Sequence, residues 1–318
     1  MKPIHVHLKP YRAWLLRSLG LLILGLLLTQ QGWAQIYSAS YNSTGFKYFD
    51  VTTNTWTAKA ALPEALVGLT AFQGKIYGHA YNTTKFYLYD PATDTWTAKK
   101  TNTFSNGRIV TAGNYIYAVQ LTTTNAAFSK YDPATDTWVS LSKAGIPSAP
   151  FGLGYDGGDY IYCSNKSIMV RYSISGNSWT TLPLTPIVIG GGLAFKNGKI
   201  YFPASVAGSN PTDFYSFDPT TSTYTKLANM PGVTQTLISG DGGCLYSNEL
   251  SSTDFYRYNT ATNTWDTYTG AGSGFFALAY IGNTCTPTAS VTATPATCAG
   301  TGGVNADAAL TLTAYGGG

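Results

Sequence analysis

Few side chains in this sequence combine the reactivity and the spacing that catalysis requires. Three histidines are present, and two of them, His5 and His7, lie within the first ten residues, which leaves His79 for the rest of the chain. A Ser-His-Asp triad or a multi-histidine metal site needs more than one isolated imidazole. We therefore predict no catalytic residue, no metal site and no cofactor, and interpret His79 as a packed or rim residue that is also a candidate ligand contact.

Arg108 is the cationic residue whose position points most directly to ligand binding. Beyond residue 34 the chain has two other arginines, Arg171 and Arg257. These two share one position of a repeated strand with Lys130, where a long cationic side chain lies along the surface. Arg108 instead begins a strand that we expect to face the centre of the fold, where a guanidinium can clamp an acidic ligand.

Acidic residues and cysteines give weaker signals. The pairs Asp90/Asp94 and Asp132/Asp136 match a calcium pattern, but the other copies of the same turn lose one or both acids, so we interpret the pairs as turn residues. Two of the four cysteines, in separate repeats, are expected to be buried thiols. The other two, Cys285 and Cys298, lie close together, and both a disulfide and two free thiols remain open.

The first 34 residues have the pattern of a secretory signal peptide. Four basic residues precede an apolar run of about ten residues, too short to span a bilayer, and small residues follow before Gln35. Without these four, 15 basic residues face 15 acidic ones, so the remaining chain is neutral and we predict no nucleic-acid binding. We expect secretion to the exterior, the cell surface or the periplasm, without stable membrane insertion.

An eight-residue sequence motif, called here the eight-residue phrase, recurs six times. It indicates a repeated structure that positions all of these residues. Two copies read Tyr-Asp-Pro-Ala-Thr-Asp-Thr-Trp, and the copies follow one another at intervals of 40 to 45 residues. Their last positions are Trp56, Trp96, Trp138, Trp179, Tyr224 and Trp265. We predict that these aromatic residues are buried structural anchors whose truncation costs ~3–5 kcal/mol.

A second phrase of the type Gly-Lys-Ile-Tyr precedes each copy, and no segment has helical periodicity. Each repeat is therefore predicted to hold four short strands, a to d, with strand b at 75–80 and strand c at 85–90 in the second repeat. On each c strand, two apolar residues three apart point to opposite faces, so both faces of each sheet must pack against neighbours.

The two phrases together resemble kelch repeats, although the double glycine of that family is absent after strand b. The resemblance implies an all-β, six-bladed β-propeller over residues 35–283. The first repeat lacks strand a, and a strand-like run at 274–280 follows the sixth, so we expect this run to complete the first blade and close the ring. Residues 284–318 resemble the start of a bacterial surface-adhesin module, cut off within a second domain. A plain disordered tail is the alternative.

Loop composition favours a monomeric binding module over an enzyme. The b–c loops are rich in Tyr, Asn, Ser and Thr, an adaptable hydrogen-bonding surface that suits a protein or glycan ligand. These loops and the d–a loops should share one face of the ring. The alternative is an exported enzyme similar to kelch-type sialic acid mutarotases. The candidate ligand-binding residues are Arg108, His79, Tyr81, Asn82, Asn125, Asn165 and Asn210.

Overall fold

The computed structural model describes residues 35–121, 126–165, 168–183, 188–204, 212–234, 236–240, 242–249, 252–270, 275–282, 290–293 and 310–313. The signal-peptide prediction for residues 1–34 lies outside this part of the chain. So do the candidates Asn125 and Asn210, and the cysteines Cys285 and Cys298.

Every element among the described residues is a strand. Blade 1 contains β1 (Gln35–Ser40), β2 (Phe46–Asp50), β3 (Thr55–Ala58) and the late strand β24 (Phe275–Ile281). Blade 2 contains β4 (Leu66–Phe72), β5 (Lys75–Ala80), β6 (Phe86–Asp90) and β7 (Thr95–Lys99). Blade 3 contains β8 (Gly107–Ala112), β9 (Tyr115–Gln120), β10 (Phe128–Asp132) and β11 (Thr137–Ser140).

The remaining blades follow the same order. Blade 4 contains β12 (Gly152–Tyr155), β13 (Tyr160–Ser164), β14 (Met169–Ser173) and β15 (Ser178–Thr181). Blade 5 contains β16 (Ala194–Lys196), β17 (Lys199–Pro203), β18 (Phe214–Asp218) and β19 (Thr223–Lys226). Blade 6 contains β20 (Ile238–Ser239), β21 (Cys244–Asn248), β22 (Phe255–Asn259) and β23 (Thr264–Tyr268). A separate antiparallel pair joins β25 (Ser290–Ala293) to β26 (Leu310–Thr313).

The ring closes through β24, the last strand of the ring in the sequence. It pairs antiparallel with β1, with Ala279 opposite Tyr37 and Tyr280 opposite Ile36. This pairing supplies the strand that blade 1 lacks and covers an edge that would otherwise remain open. Six antiparallel four-stranded sheets in a closed ring make the fold a six-bladed β-propeller, as the sequence predicted.

Aromatic residues of the third strands fill the spaces between blades. Phe86 and Tyr89 of β6 are fully buried and belong to two different apolar clusters, one on each side of the blade. Phe86 packs edge-on against Tyr131 of the next blade, with ring centroids 4.9 Å apart. The prediction that both faces of a blade are apolar is confirmed.

A polar clamp repeated between blades explains the eight-residue phrase. In blade 3, the Tyr131 hydroxyl donates to Asp136 Oδ1 at 2.7 Å, and the same oxygen accepts the Lys100 backbone N–H at 2.9 Å from blade 2. Trp138 Nε1 donates to the Lys100 carbonyl at 2.8 Å. Both backbone groups of one residue are thus bound by the following blade, as polar backbone groups at a packed interface require.

The clamp recurs with Asp94 and Trp96 on Ala60, with Asn177 and Trp179 on Ser142, and with Asn263 and Trp265 on Ala228. Blade 5 departs from it for a local reason. Its target is Pro183, which has no N–H to donate. The blade accordingly carries Phe217 and Ser222 in place of the tyrosine and the Asp or Asn, while Tyr224 still donates to the Pro183 carbonyl at 3.2 Å.

Blade 1 lacks the clamp at the point where the ring closes. Its third strand carries Phe49 without a hydroxyl, and Trp56 Nε1 is buried with no hydrogen-bond partner among the described residues. The Trp56 ring instead packs edge-on against Phe255 of blade 6 at 5.2 Å. The interface between blades 6 and 1 therefore depends on aromatic packing, whereas the β24–β1 pairing completes blade 1 itself.

The burial predicted for the six anchor residues needs correction. The six anchor residues of the eight-residue phrase were expected to be buried, but each is partly exposed, because the fourth strand lies at the outer edge of its blade. The cost of truncating them is consequently lower than for a fully buried ring. Cys163 and Cys244 are buried free thiols, as predicted.

Candidate functional site

The first strand of each sheet, called here the inner strand, lines a central channel of about 280 Å³. Pairing with the second strand aligns the six inner strands, because the repeated tyrosine of every second strand has an inner-strand partner. The partners are Thr70, Val110, Gly154, Ala194, Ile238 and Ala279. Positions in different blades can therefore be compared level by level along the channel.

One residue before each of these partners stands an aliphatic side chain: Leu69, Ile109, Leu153, Leu193, Leu237 and Leu278. All six are buried and belong to the apolar clusters between blades. Side chains alternate along a strand, so the next position toward the start of the inner strand lies on the opposite face. This aliphatic level fixes the packing of the ring and leaves the adjacent level available for a site.

That adjacent level, called here the mouth ring, consists of Gly68, Arg108, Gly152, Gly192, Thr236 and Ala277. Small residues are required where the inner strands converge. A Cβ at Gly68 would lie 2.4 Å from the Gly107 carbonyl oxygen, and one at Gly152 would lie 2.9 Å from the Cα of Gly192. Arg108 is the exception, and it is the one charged residue among the described residues that line the channel.

The Arg108 side chain is held at the mouth of the channel. Its Nη1 donates to the carbonyl of Val67 in the preceding blade at 2.7 Å. Burial lowers the pKa of the guanidinium to about 9, which still leaves it charged at neutral pH. The prediction that Arg108 faces the channel near its mouth agrees with this placement, whereas a role in binding stays a prediction.

The d–a and b–c loops share one end of the ring, called here the loop face, and Arg108 lies near this end. Tyr81 extends from the b–c loop of blade 2 with 39% of its surface exposed. Its ring meets Tyr41, from the equivalent loop of blade 1, edge-on at 6.0 Å. Among the described residues, Tyr81 is the one large aromatic side chain that is well exposed.

Two asparagines stiffen the loop beside this pair. Asn82 and Asn106 both have a positive φ, of 58° and 57°. The Asn82 N–H donates to Asn106 Oδ1 at 2.6 Å, and Asn106 Nδ2 donates to Asn82 Oδ1 at 3.2 Å. Tyr81 and Asn82 were predicted from the sequence, whereas Tyr41 and Asn106 were not, because both contacts join residues of neighbouring blades.

A carboxylate lies in the same region. Glu64, in the d–a loop, accepts hydrogen bonds from the Tyr87 hydroxyl and from Thr83, and forms an ion pair of 3.0 Å with Lys85. Burial alone would raise its pKa, but the hydrogen bonds from Tyr87, Thr83 and Lys85 together hold the pKa below its ordinary value. Glu64 is therefore an anchored anion at the loop face rather than a proton donor.

The remaining candidate ligand-binding residues make packing contacts and hydrogen bonds within the fold. His79 has no exposed surface, and its ring stacks on Phe104 at 5.8 Å. Thr103 N–H fixes the Asn102 amide by donating to Oδ1, so Asn102 Nδ2 donates to His79 Nε2 at 3.3 Å. Burial lowers the pKa of His79 to about 4. His79 therefore lies away from the loop surface, and we assign it to packing between blades 2 and 3.

Asn165 stabilises its own loop and also binds the d–a loop of the same blade. Its Oδ1 accepts the Ile168 N–H at 2.9 Å, and its Nδ2 donates to the Ser148 carbonyl at 3.2 Å.

On the opposite end of the ring, called here the turn face, the predicted turn bonds are present: Asp90 accepts the Ala92 N–H at 3.0 Å. Within the described segments, no group of three or more His, Cys, Asp or Glu residues is close enough to hold a metal ion.

Comparison with known proteins supports the fold. No family model and no curated protein matches the sequence. Among solved structures, a chain from the crystal structure of a nidogen/laminin complex is similar, with a TM-score of 0.65 and 12% sequence identity. The match covers 78% of this chain and 98% of that chain. A likeness at this identity shows the propeller architecture alone.

Among the described residues, no helix has the length and apolarity needed to cross a membrane.

Proposed function

We propose that this protein is a secreted or cell-surface binding module of the kelch-repeat type, which recognises a glycan or a protein through its loop face. The observation that carries the proposal is the Tyr41–Tyr81 pair beside the Asn82–Asn106 bridge. The pair offers exposed aromatic surface on a rigid support, and the neighbouring amides and hydroxyls offer directional hydrogen bonds. Tyrosine and asparagine in this combination are common in binding surfaces with little charge.

The shape of the fold supports a binding role. The Tyr41–Tyr81 ring contact and the Asn82–Asn106 hydrogen bonds each join neighbouring blades, so the surface is fixed before a ligand arrives. A preorganised surface loses less conformational entropy on binding. On the turn face, in contrast, the polar side chains already have structural roles. The first Asp of the motif, such as Asp90, binds its own turn, and the later Asp or Asn, such as Asp136, forms the clamp. An adhesive role is further supported by the resemblance of residues 284–318 to surface-adhesin modules.

The proposal is tested by screening the chain without its first 34 residues on a glycan array, and by comparing wild type with a Tyr41→Ala/Tyr81→Ala double variant. We expect the double variant to lose at least about tenfold in affinity for any ligand found, as for aromatic anchors in other interfaces. Asn82 and Asn106 are left intact, because alanine at a positive φ would strain the loop.

The matched control is a Thr93→Ala/Thr135→Ala double variant on the turn face, where both hydroxyls are exposed. All proteins must first show normal melting. Loss of binding in the threonine variant, with none in the tyrosine variant, would place recognition on the wrong face. A mutarotase assay with N-acetylneuraminate runs alongside, and turnover there, with an array that shows no binding, would favour the enzymatic alternative.

A further inference from the structure

The mouth ring places a single cation among uncharged residues. Five of its six positions carry Gly, Thr or Ala, so Arg108 is the one side chain at this level that is long enough to reach across the channel. The same position is glycine in blades 2, 4 and 5. Neither the strand pairing nor the packing of the ring therefore requires an arginine here.

The surroundings of Arg108 favour an anion. No acidic side chain is among the described residues that line the channel. The Arg108 side chain is half-buried at the mouth of the channel, so water screens its potential only in part. The hydrogen bond from Nη1 to the Val67 carbonyl orients the planar group. An oriented guanidinium matches the geometry of a carboxylate.

The side chains that line the channel limit the size of the ligand it can hold. Below the mouth ring the channel is bounded by Thr70, Val110, Gly154, Ala194, Ile238 and Ala279, which are small or aliphatic. A volume of about 280 Å³ is close to the lower end of the range for small-molecule sites. A peptide chain or a polysaccharide is too large for this space, whereas a single small molecule is of the right size.

We propose that the channel is a second binding site, which holds one small organic monocarboxylate with its carboxylate on the Arg108 guanidinium and its uncharged body against the small residues below. This site goes beyond the proposed recognition surface, since it depends on none of the loop tyrosines. It resembles a site for a metabolite rather than for a macromolecule, because its volume of about 280 Å³ is of the size of one small molecule.

The test uses two pairs of probes that differ in the carboxylate: D-glucuronate with D-glucose, and lactate with 1,2-propanediol. Binding is measured by calorimetry and by the ¹⁵Nε resonance of Arg108. We expect at least one carboxylate to bind at concentrations up to about 10 mM and to shift this resonance, while its neutral partner does not bind. Inorganic phosphate serves as a third probe, and binding of phosphate alone would overturn the assignment to a carboxylate.

Arg108→Gln is expected to weaken carboxylate binding about tenfold or more, because a charge-assisted hydrogen bond is lost while a donor to Val67 is kept. Arg108→Lys should retain part of the affinity, since the charge remains and the planar fork is lost. Arg171→Gln is the matched control, since Arg171 lies over the Tyr160 ring on a third strand. Equal affinity of wild type and Arg108→Gln, or no binding by any carboxylate probe, would overturn the proposal. The Tyr41→Ala/Tyr81→Ala variant should bind the carboxylate normally, which separates this site from the loop surface.

Discussion

The interblade clamp allows one hydrogen bond to be compared in a charged and in a neutral form within the same protein. Tyr131 donates to the carboxylate of Asp136, and Tyr172 donates to the amide of Asn177, both at 2.7 Å. The two tyrosines occupy equivalent positions of blades 3 and 4 and are both buried. The pair of variants Tyr131→Phe and Tyr172→Phe therefore removes the same hydroxyl from nearly the same surroundings. Phenylalanine fits this position, because blades 1 and 5 carry Phe49 and Phe217 there.

We expect Tyr131→Phe to lower the free energy of unfolding by about 1.5–2 kcal/mol and Tyr172→Phe by about 1 kcal/mol. Hydrogen bonds to ionised groups are worth ~1.5–3 kcal/mol. The Asp136 side chain is 42% exposed, so solvent screening places the first value near the lower end. Both losses are small against a total of ~5–15 kcal/mol, so both variants should fold. Urea unfolding followed by tryptophan fluorescence at pH 7 measures them.

The difference between the two variants should depend on pH. Burial tends to raise the pKa of Asp136, but the hydrogen bonds from Tyr131 and the Lys100 N–H, with Lys99 nearby, hold the pKa below its ordinary value. A carboxylate with a lowered folded-state pKa contributes stability above its unfolded pKa and loses it as the pH falls through the folded pKa. The excess cost of Tyr131→Phe should thus be full at pH 7 and decrease as the pH falls below 3.8 and through the lowered folded-state pKa of Asp136. Equal costs at pH 7, or an excess that persists in acid, would refute the charge-assisted clamp.

Three further predictions concern stability. The pKa of His79 is about 4 in the folded protein and 6.5 when unperturbed, so its contribution to the free energy of unfolding is full above pH 6.5 and should fall by up to about 3 kcal/mol as the pH drops toward 4. In His79→Gln the loss over this pH range should be smaller. An unchanged pH profile in this variant would contradict the buried neutral imidazole. Trp138→Phe removes the bond to Lys100 and should cost ~0.5–1.5 kcal/mol more than Trp56→Phe, where no such bond exists, as measured by chemical denaturation; equal costs would mean that the indole N–H contributes nothing. A chain ending at Gly270 lacks β24 and should aggregate in size-exclusion chromatography, while one ending at Asn283 should elute as a monomer; identical elution of the two would show that β24 is dispensable for closure.

The strand content, the six-blade ring and its closure were all predictable from the sequence. The reason is that a blade is a local unit whose turns and strand alternation are determined within about 40 residues. The c–d turn is an example: Asp90 accepts the Ala92 N–H two residues on, an interaction that the sequence shows directly. Closure followed from counting, since the first repeat lacked one strand and the last repeat was followed by one.

The tertiary structure decided the features that join residues of different blades. The Asp136 side chain accepts the Tyr131 hydroxyl of its own blade, but its contact with Lys100 exists only because blade 2 lies beside blade 3. The partial exposure of the tryptophans likewise follows from the position of the fourth strand at the rim. The mouth ring was the least predictable, because the inner strands carry no shared motif and their alignment is set by pairing with the second strands. Arg108 is one of three arginines in the sequence beyond residue 34, and it becomes the single charge of a channel only when six strands from across the chain converge.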